Sequence, residues 1–216
     1  LCSSCFGNLS RAKYMLDTNP RLKEDVNKLL GKAGREYKGT VQIEHVVTTL
    51  YNDYGKEKLG SDIVNPLSEL NVAPFYGCHI FMPAKYSDFD DPENPVKLDE
   101  LILTTGAKSI DYHEKTSCCI GCGSFFGKVS EEASVRLAEN IVRSAHEKGA
   151  DCIVTTCPFC IMQLEIGQIK LRERDMRFNI PTLHYVDILG LALGIEPEDL
   201  GFDLRRINID PVISKL

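Results

Sequence analysis

Long apolar runs are missing from this sequence of 216 residues. The most apolar candidate, 183–195, is interrupted by Asp187 and is shorter than the roughly 20 residues that a membrane helix needs. An excess of positive charge is missing too, because 31 acidic residues outweigh 25 basic ones and the formal net charge is −6. We therefore expect neither a membrane span nor a nucleic-acid partner.

Cysteine, by contrast, is abundant, with nine residues in the chain. A secreted disulfide scaffold explains them poorly, because such scaffolds are usually much shorter and an odd count leaves one thiol without a partner. The adjacent Cys118 and Cys119 cannot readily bond to each other, since neighbouring Cα atoms lie closer than disulfide geometry prefers. The cysteines therefore indicate a reducing, cytoplasmic compartment with metal-binding or redox thiols.

Strand and helix signals alternate along the chain. Apolar, β-rich runs predict strands at 71–76, 109–112, 152–156 and 183–185. Helical patterns precede, separate and follow them, at 9–16, 21–30, 41–54, 98–105, 131–148, 158–172 and 186–193. This alternation predicts an α/β fold with mostly parallel sheets flanked by helices.

Three cysteine groups each follow a predicted strand, and they are Cys78, the pair Cys118–Cys119, and Cys157. Because ligands of open parallel sheets bind outside the carboxyl ends of the strands, we expect these groups to converge on one site. Pro158 suits the first position of a helix, which places Cys157 near its N-cap and Cys160 on the same face. The positive end of that helix favours thiolates there.

The same residues leave structural alternatives open. Cys157 and Cys160 could form a thioredoxin-like dithiol, and the adjacent pair could be two buried structural thiols. Successive side chains of a strand point to opposite faces, so both members of the pair reach one site only if the backbone turns after them. We expect Gly121 and Gly123 to make that turn.

The number of thiols favours an iron–sulfur cluster over zinc. A structural zinc takes four ligands, whereas the three groups supply five, with Cys122 open as a sixth. Zinc remains an alternative at an incompletely loaded site, and the ordinary ferredoxin spacing is absent. Cys152 lies inside a predicted strand, so we expect it in the core. His79, next to Cys78, is a candidate proton donor or hydrogen-bond donor near a cluster.

The cysteine arrangement resembles the cysteine-rich CCG domain, although Ile120 stands where the family motif has glycine. The segments 75–79, 90–95 and 151–160 resemble the B subunit of heterodisulfide reductase, and the resemblance covers nearly the whole chain. It implies reductive cleavage of the disulfide between coenzyme M and coenzyme B in methanogens. It also implies a ferredoxin-like iron–sulfur subunit and a flavoprotein subunit as partners. The ligands of a non-cubane 4Fe-4S cluster would be Cys78, Cys118, Cys119, Cys157 and Cys160.

Members of that family carry two such domains in tandem. Cys2 and Cys5 would correspond to Cys157 and Cys160, an offset of 155 positions that places about 75 to 80 residues before Leu1. We therefore expect a truncated first domain, with its C-terminal remainder and connecting helices in 1–66, and a complete second domain in 67–216. Cys2 and Cys5 would then be part of an incomplete first metal site.

Two rival functions remain. One is the iron–sulfur subunit of a lactate or glycolate oxidase, or of a quinone-linked reductase, built on the same domain. The other is a zinc-binding interaction module without redox activity. Metal analysis separates the zinc module from the iron–sulfur functions, because one equivalent of zinc without acid-labile sulfide would exclude the cluster.

Overall fold

Residues 1–81, 83–87, 89–125 and 129–216 are described by the structure, which is a computed structural model. The chain begins with two helices, α1 (Ser3–Thr18) and α2 (Pro20–Gly31), which confirm the two predicted there. Asn19 separates them. Its side chain accepts a hydrogen bond from the N–H of Leu22, while Pro20 occupies the first turn of α2.

The helix predicted over 41–54 is wrong in its first part. Helical structure starts only at α3 (Val46–Thr48), and it continues through a wider π-helical segment (Thr49–Gly55) into α4 (Lys56–Ser61). The reason is His45, whose buried side chain accepts a hydrogen bond from the N–H of Val47 and so caps the helix at this point.

The sheet has four parallel strands in the order β2-β1-β3-β4, namely β1 (Asn71–Phe75), β2 (Lys108–Ser109), β3 (Cys152–Thr155) and β4 (Thr182–His184). This confirms the predicted α/β fold with a parallel sheet. Phe75 pairs with Thr155, and Thr155 with His184, so three strands end level with one another. The strand order reverses at β1 and β3, where open parallel sheets bind their ligands.

Helices cover both faces of this sheet, and in chain order they are α5 (Lys97–Thr104), α6 (Gly121–Phe125), α7 (Glu131–Glu147), α8 (Pro158–Arg172), α9 (Tyr185–Ala192) and α10 (Asp210–Ile213). Val72 and Val154 pack on one side in a core that includes α5 and α9. Ala73 and Ile153 point to the other side, where α7 and α8 pack. The alternation of side chains along β1 and β3 thus divides the core between the two faces.

Short 3-10 turns complete the described chain at Ala84–Tyr86, His113–Thr116, Pro197–Leu200 and Phe202–Leu204. Two residues separate β3 from α8, which has Cys157 at its N-cap and Pro158 in its first turn, as predicted. Within the described ranges, every helix is too short or too polar to cross a membrane.

Candidate metal centre

Six cysteines line a cavity of about 170 Å³ at the carboxyl edge of the sheet, and they are Cys78, Cys118, Cys119, Cys122, Cys157 and Cys160. One water molecule needs about 10–15 Å³ by the same measure, so the cavity admits a group of several atoms. The three cysteine groups expected to converge therefore do lie around one space. Among the described residues, no three His, Cys, Asp or Glu side chains are arranged to hold a single metal ion.

Two pairs of sulfurs approach each other across this cavity. The Sγ atoms of Cys78 and Cys118 are 3.8 Å apart, and those of Cys119 and Cys160 are 3.2 Å apart. Gly77 lets the chain pass close to the second pair, because it has a φ of +68° and an added Cβ would lie 3.2 Å from the Sγ of Cys160. The strand ends thus bring thiols from distant parts of the sequence into contact.

The turn after the adjacent cysteines is made by Ile120, not by the glycines expected to make it. Ile120 has a φ of +58°, whereas Gly121 begins α6. The turn directs two backbone N–H groups at sulfur: that of Ile120 lies 3.3 Å from the Sγ of Cys118, and that of Gly121 3.4 Å from the Sγ of Cys119. Such successive N–H groups form a concavity that favours anions.

Two helices begin at the sulfur of Cys157. The backbone N–H groups of Phe159 and Cys160 in the first turn of α8, and that of Ser4 in the first turn of α1, act on this sulfur and favour its thiolate form. Its hydrogen bond with the Cys160 thiol, together with these backbone donors, lowers the pKa of Cys157 to about 5 despite burial. Contacts with the thiols of Cys119 and Cys157 raise the pKa of Cys160 well above its usual value.

The contact between Cys78 and Cys118 acts in the same way. A hydrogen bond with Cys78, the N–H of Ile120 and the nearby ring of His79 lower the pKa of Cys118 to about 6. The same contact, followed by burial, raises the pKa of Cys78. Cys118 and Cys157 are therefore the two thiols of the cavity poised as thiolates.

The remaining predicted site residues are placed as follows. His79 lines the cavity, and Cys152 lies fully buried in β3, where burial raises its pKa to about 12. Cys2 caps α1, with its Sγ 3.4 Å from the N–H of Cys5, and burial raises its pKa to about 12. Cys5 is exposed.

Sequence reasoning missed several residues that shape the site. Ser3 and Ser4, between Cys2 and Cys5, line the cavity, and the Oγ of Ser4 is 3.3 Å from the Sγ of Cys122. The buried His45 places its Nε2 3.1 Å from the carbonyl oxygen of Thr156, directly before Cys157. A polar Ser-Ser pair inside a Cys-x-x-Cys motif is the local signal that could have pointed to the two serines.

Comparisons with known proteins agree with this site. The family model of the cysteine-rich domain, CCG, matches residues 72–165. The chain is 40% identical to the B subunit of the ferredoxin/F420H2-dependent CoB-CoM heterodisulfide reductase of Methanosarcina acetivorans, over all of this chain and 72% of that protein. It is 34% identical to the 8-methylmenaquinol:fumarate reductase membrane anchor subunit of Wolinella succinogenes, over 96% of this chain and 71% of that protein.

The fold recurs in a crystal structure of a hypothetical protein from Helicobacter pylori. The TM-score is 0.66 at 18% identity, and the match covers 92% of this chain but only 35% of that one. This similarity concerns the fold alone. On the full-length identity to the archaeal protein and the match to the cysteine-rich domain, the chain belongs to the family of heterodisulfide reductase B subunits.

Proposed function

We propose that this chain is the iron–sulfur subunit of a heterodisulfide reductase, which cleaves the disulfide between coenzyme M and coenzyme B at a non-cubane 4Fe-4S cluster. The observation that carries the proposal is the group of five thiols around one cavity at the switch point of the sheet. The cluster ligands would be Cys78, Cys118, Cys119, Cys157 and Cys160. The archaeal relative, which is named for the CoB-CoM heterodisulfide, supports the substrate.

The residues present fit such a cluster in their chemistry. Soft thiolates are the ligands that iron–sulfur clusters use, and Cys118 and Cys157 have pKa values lowered to about 6 and about 5. Space for bulky sulfur is kept by the absence of side chains at Gly77 and Gly121, where an added Cβ would lie 3.2 Å from the Sγ of Cys160 and 3.4 Å from that of Cys119. The hydroxyl of Tyr112 is buried without a partner in the described chain and is electrostatically linked to Cys160.

The reaction converts one disulfide, two electrons and two protons into two thiols. When bound, the cluster would supply the electrons and an iron atom to which a substrate sulfur can bind. The chain itself would exclude water and hold the substrate, because Tyr76, Ile120 and Phe159 line the cavity together with the thiols. We assign to His79 the transfer of a proton to a leaving thiolate, since it lines the cavity and lies near Cys118.

Electrons would arrive from partner subunits, a ferredoxin-like protein and a flavoprotein. Cys2 and Cys5 would belong to a second metal site, with 1–66 as a segment separate from the cysteine-rich domain in 67–216. In support, residues 1–66 are helical or irregular, whereas β1 to β4 all lie after residue 70. The active protein would then be cytoplasmic and part of a complex.

A quinone-linked reductase is the second candidate. It is favoured by the 34% identity to the Wolinella protein, which is named as part of an 8-methylmenaquinol:fumarate reductase. The two candidate functions are distinguished by assaying the same preparation for reduction of the disulfide and for oxidation of a menaquinol. Turnover of the quinol without turnover of the disulfide would replace the first proposal with the second.

The proposed cluster is tested by anaerobic purification with iron and sulfide analysis. We expect about four iron and four sulfide per complete site. Cys119→Ala and Cys157→Ala should lose both, whereas Cys152→Ala is the matched control, because Cys152 is equally buried but lies in the core. One equivalent of zinc without sulfide, or full iron loading in Cys119→Ala, would contradict the proposal.

A further inference from the structure

Ile120 adopts a backbone conformation that its side chain disfavours. Its φ of +58° lies in the left-handed region, which glycine enters freely and which is an outlier for a β-branched residue. Strain of this kind persists where the surroundings hold it in place, and it clusters at ligand-binding sites. Ile120 directly follows the cysteines that line the thiol cavity.

The turn alone does not account for isoleucine at this position. Glycine would allow the same φ and would present the same N–H to the Sγ of Cys118, now 3.3 Å away, without strain. What isoleucine adds is its side chain. That residue is half-buried on the wall of the cavity, which Phe159 also lines.

We propose that Ile120 is a specificity-determining residue of the thiol cavity, and that its side chain packs against aliphatic carbon atoms next to the reacting sulfur of a disulfide substrate. This inference rests on the proposed function. Ile120 and Phe159 together give the cavity an apolar wall beside its sulfurs. A disulfide with purely aliphatic chains gains contact with that wall, whereas one with hydroxyl groups at the ends of its chains loses hydration there.

The strain is tested by thermal unfolding of the full-length protein, loaded and stripped of metal. Elsewhere in a fold a glycine variant is less stable than an alanine variant, but at a left-handed position the order reverses. We expect Ile120→Gly to unfold roughly 2–4 °C above Ile120→Ala. Asp175→Gly is the matched control for the effect of a glycine at a left-handed position outside the cavity. Asp175 also has a φ of +58°, but it is exposed in a turn away from the cavity.

Selectivity is tested in the loaded protein with a viologen dye as electron donor. Dipropyl disulfide and bis(hydroxyethyl) disulfide are nearly isosteric, so the ratio of their kcat/KM values reports on the polarity of the wall. We expect Ile120→Gly to lower the preference for the dipropyl compound about 10-fold, mainly through KM, because removal of apolar contacts has effects of that size. Asp175→Gly should leave the ratio unchanged.

Two results would overturn the inference. One is an unchanged ratio in Ile120→Gly while the wild type cleaves both compounds. The other is an alanine variant that unfolds at or above the temperature of the glycine variant. If the wild type cleaves no disulfide at all, the proposed function fails first and this inference falls with it.

Discussion

Ser3 and Thr156 are 153 residues apart in the sequence, yet the hydroxyl of Ser3 lies 2.9 Å from the carbonyl oxygen of Thr156 and 2.8 Å from its hydroxyl. The N–H of Ser3 also donates to that carbonyl at 3.3 Å. Since Ser3 follows Cys2 and Thr156 precedes Cys157, these bonds hold the two Cys-x-x-Cys motifs side by side. The first turn of α1 therefore acts on the thiol cavity.

Removal of one backbone donor from that turn should change the acidity of Cys157. Ser4→Pro deletes an N–H that favours the thiolate of Cys157, and proline is tolerated in the first turn of a helix. A hydrogen bond to a charged group contributes about 1.5–3 kcal/mol, so the pKa of Cys157 should rise by about one to two units. The measurement is the pH dependence of alkylation at Cys157 in metal-free protein, resolved by mass spectrometry.

Ser4→Ala is the control for this change, since it keeps the N–H and removes only the hydroxyl 3.3 Å from the Sγ of Cys122. The pKa of Cys157 should stay near its value of about 5 in that variant. Equal alkylation profiles in the two variants would show that α1 does not influence this thiol.

Gly77 should support metal loading by leaving room beside the sulfur of Cys160, in addition to allowing the backbone conformation at this position. Gly77→Ala and Gly149→Ala both place a side chain at positive φ, +68° and +77°, and each should lower the free energy of unfolding by about 1–2 kcal/mol. Only the first meets the Sγ of Cys160 at 3.2 Å, while nothing lies within 4 Å of the second. Urea unfolding measures the loss of stability, which both variants should show. Iron content measures metal loading, which should fall only in Gly77→Ala. Equal iron content in the two variants would mean that this contact has no role.

The position of the thiols could be predicted because it follows from local signals. Strands such as β1 and β3 are short apolar runs, and a cysteine two or three residues beyond a strand end must lie at the carboxyl edge of a parallel sheet. Pro158 similarly marks the start of α8, since it suits the first turn of a helix. The placement of Cys78 and Cys157 therefore needed no knowledge of long-range contacts, whereas Cys118 comes nine residues after the end of β2 and is not placed by this rule.

Other features depend on contacts that the sequence does not display. His45 interrupts the pattern over 41–54 because its ring is buried against the carbonyl of Thr156, 111 residues away. Backbone propensity favours the neighbouring glycines over Ile120 for the turn, and the surroundings override that propensity. The Ser-Ser pair in the first Cys-x-x-Cys motif hints at Ser3 and Ser4, but their partners Thr156 and Cys122 are distant in the sequence and are not displayed by it.

The buried hydroxyl of Tyr112 should destabilise the metal-free protein. Its side chain is 4% exposed, and the hydroxyl has no hydrogen-bond partner among the described residues. An unsatisfied buried polar group costs about 1–3 kcal/mol, so Tyr112→Phe should raise the free energy of unfolding by about 1 kcal/mol. Urea unfolding of the stripped protein measures this.

Tyr185→Phe provides the comparison, because Tyr185 is equally buried but its hydroxyl donates to the carbonyl of Leu101 at 3.2 Å. That variant should lose about 1 kcal/mol. If both variants are destabilised alike, the hydroxyl of Tyr112 has a partner after all.

His45 should make the stability of the protein depend on pH in the mildly acidic range. Burial, followed by the charge of His184, lowers its pKa to about 4, against about 6.5 in an unfolded chain. The unfolded state therefore binds more protons between these values. The neutral His45 imidazole therefore contributes to the free energy of unfolding in full above pH of about 6.5. This contribution falls as the pH drops to about 4, by about 3 kcal/mol in total.

His45→Gln isolates this contribution, because its amide can still donate to the carbonyl of Thr156 but does not titrate. Urea unfolding between pH of about 7 and about 4 should show a loss for the wild type that exceeds the loss for the variant by up to about 3 kcal/mol. Since the cysteines and His184 titrate in both proteins, the difference reports the His45 imidazole. Parallel pH profiles would show that His45 is protonated in the folded protein as readily as in the unfolded chain, and thus that burial does not hold it neutral.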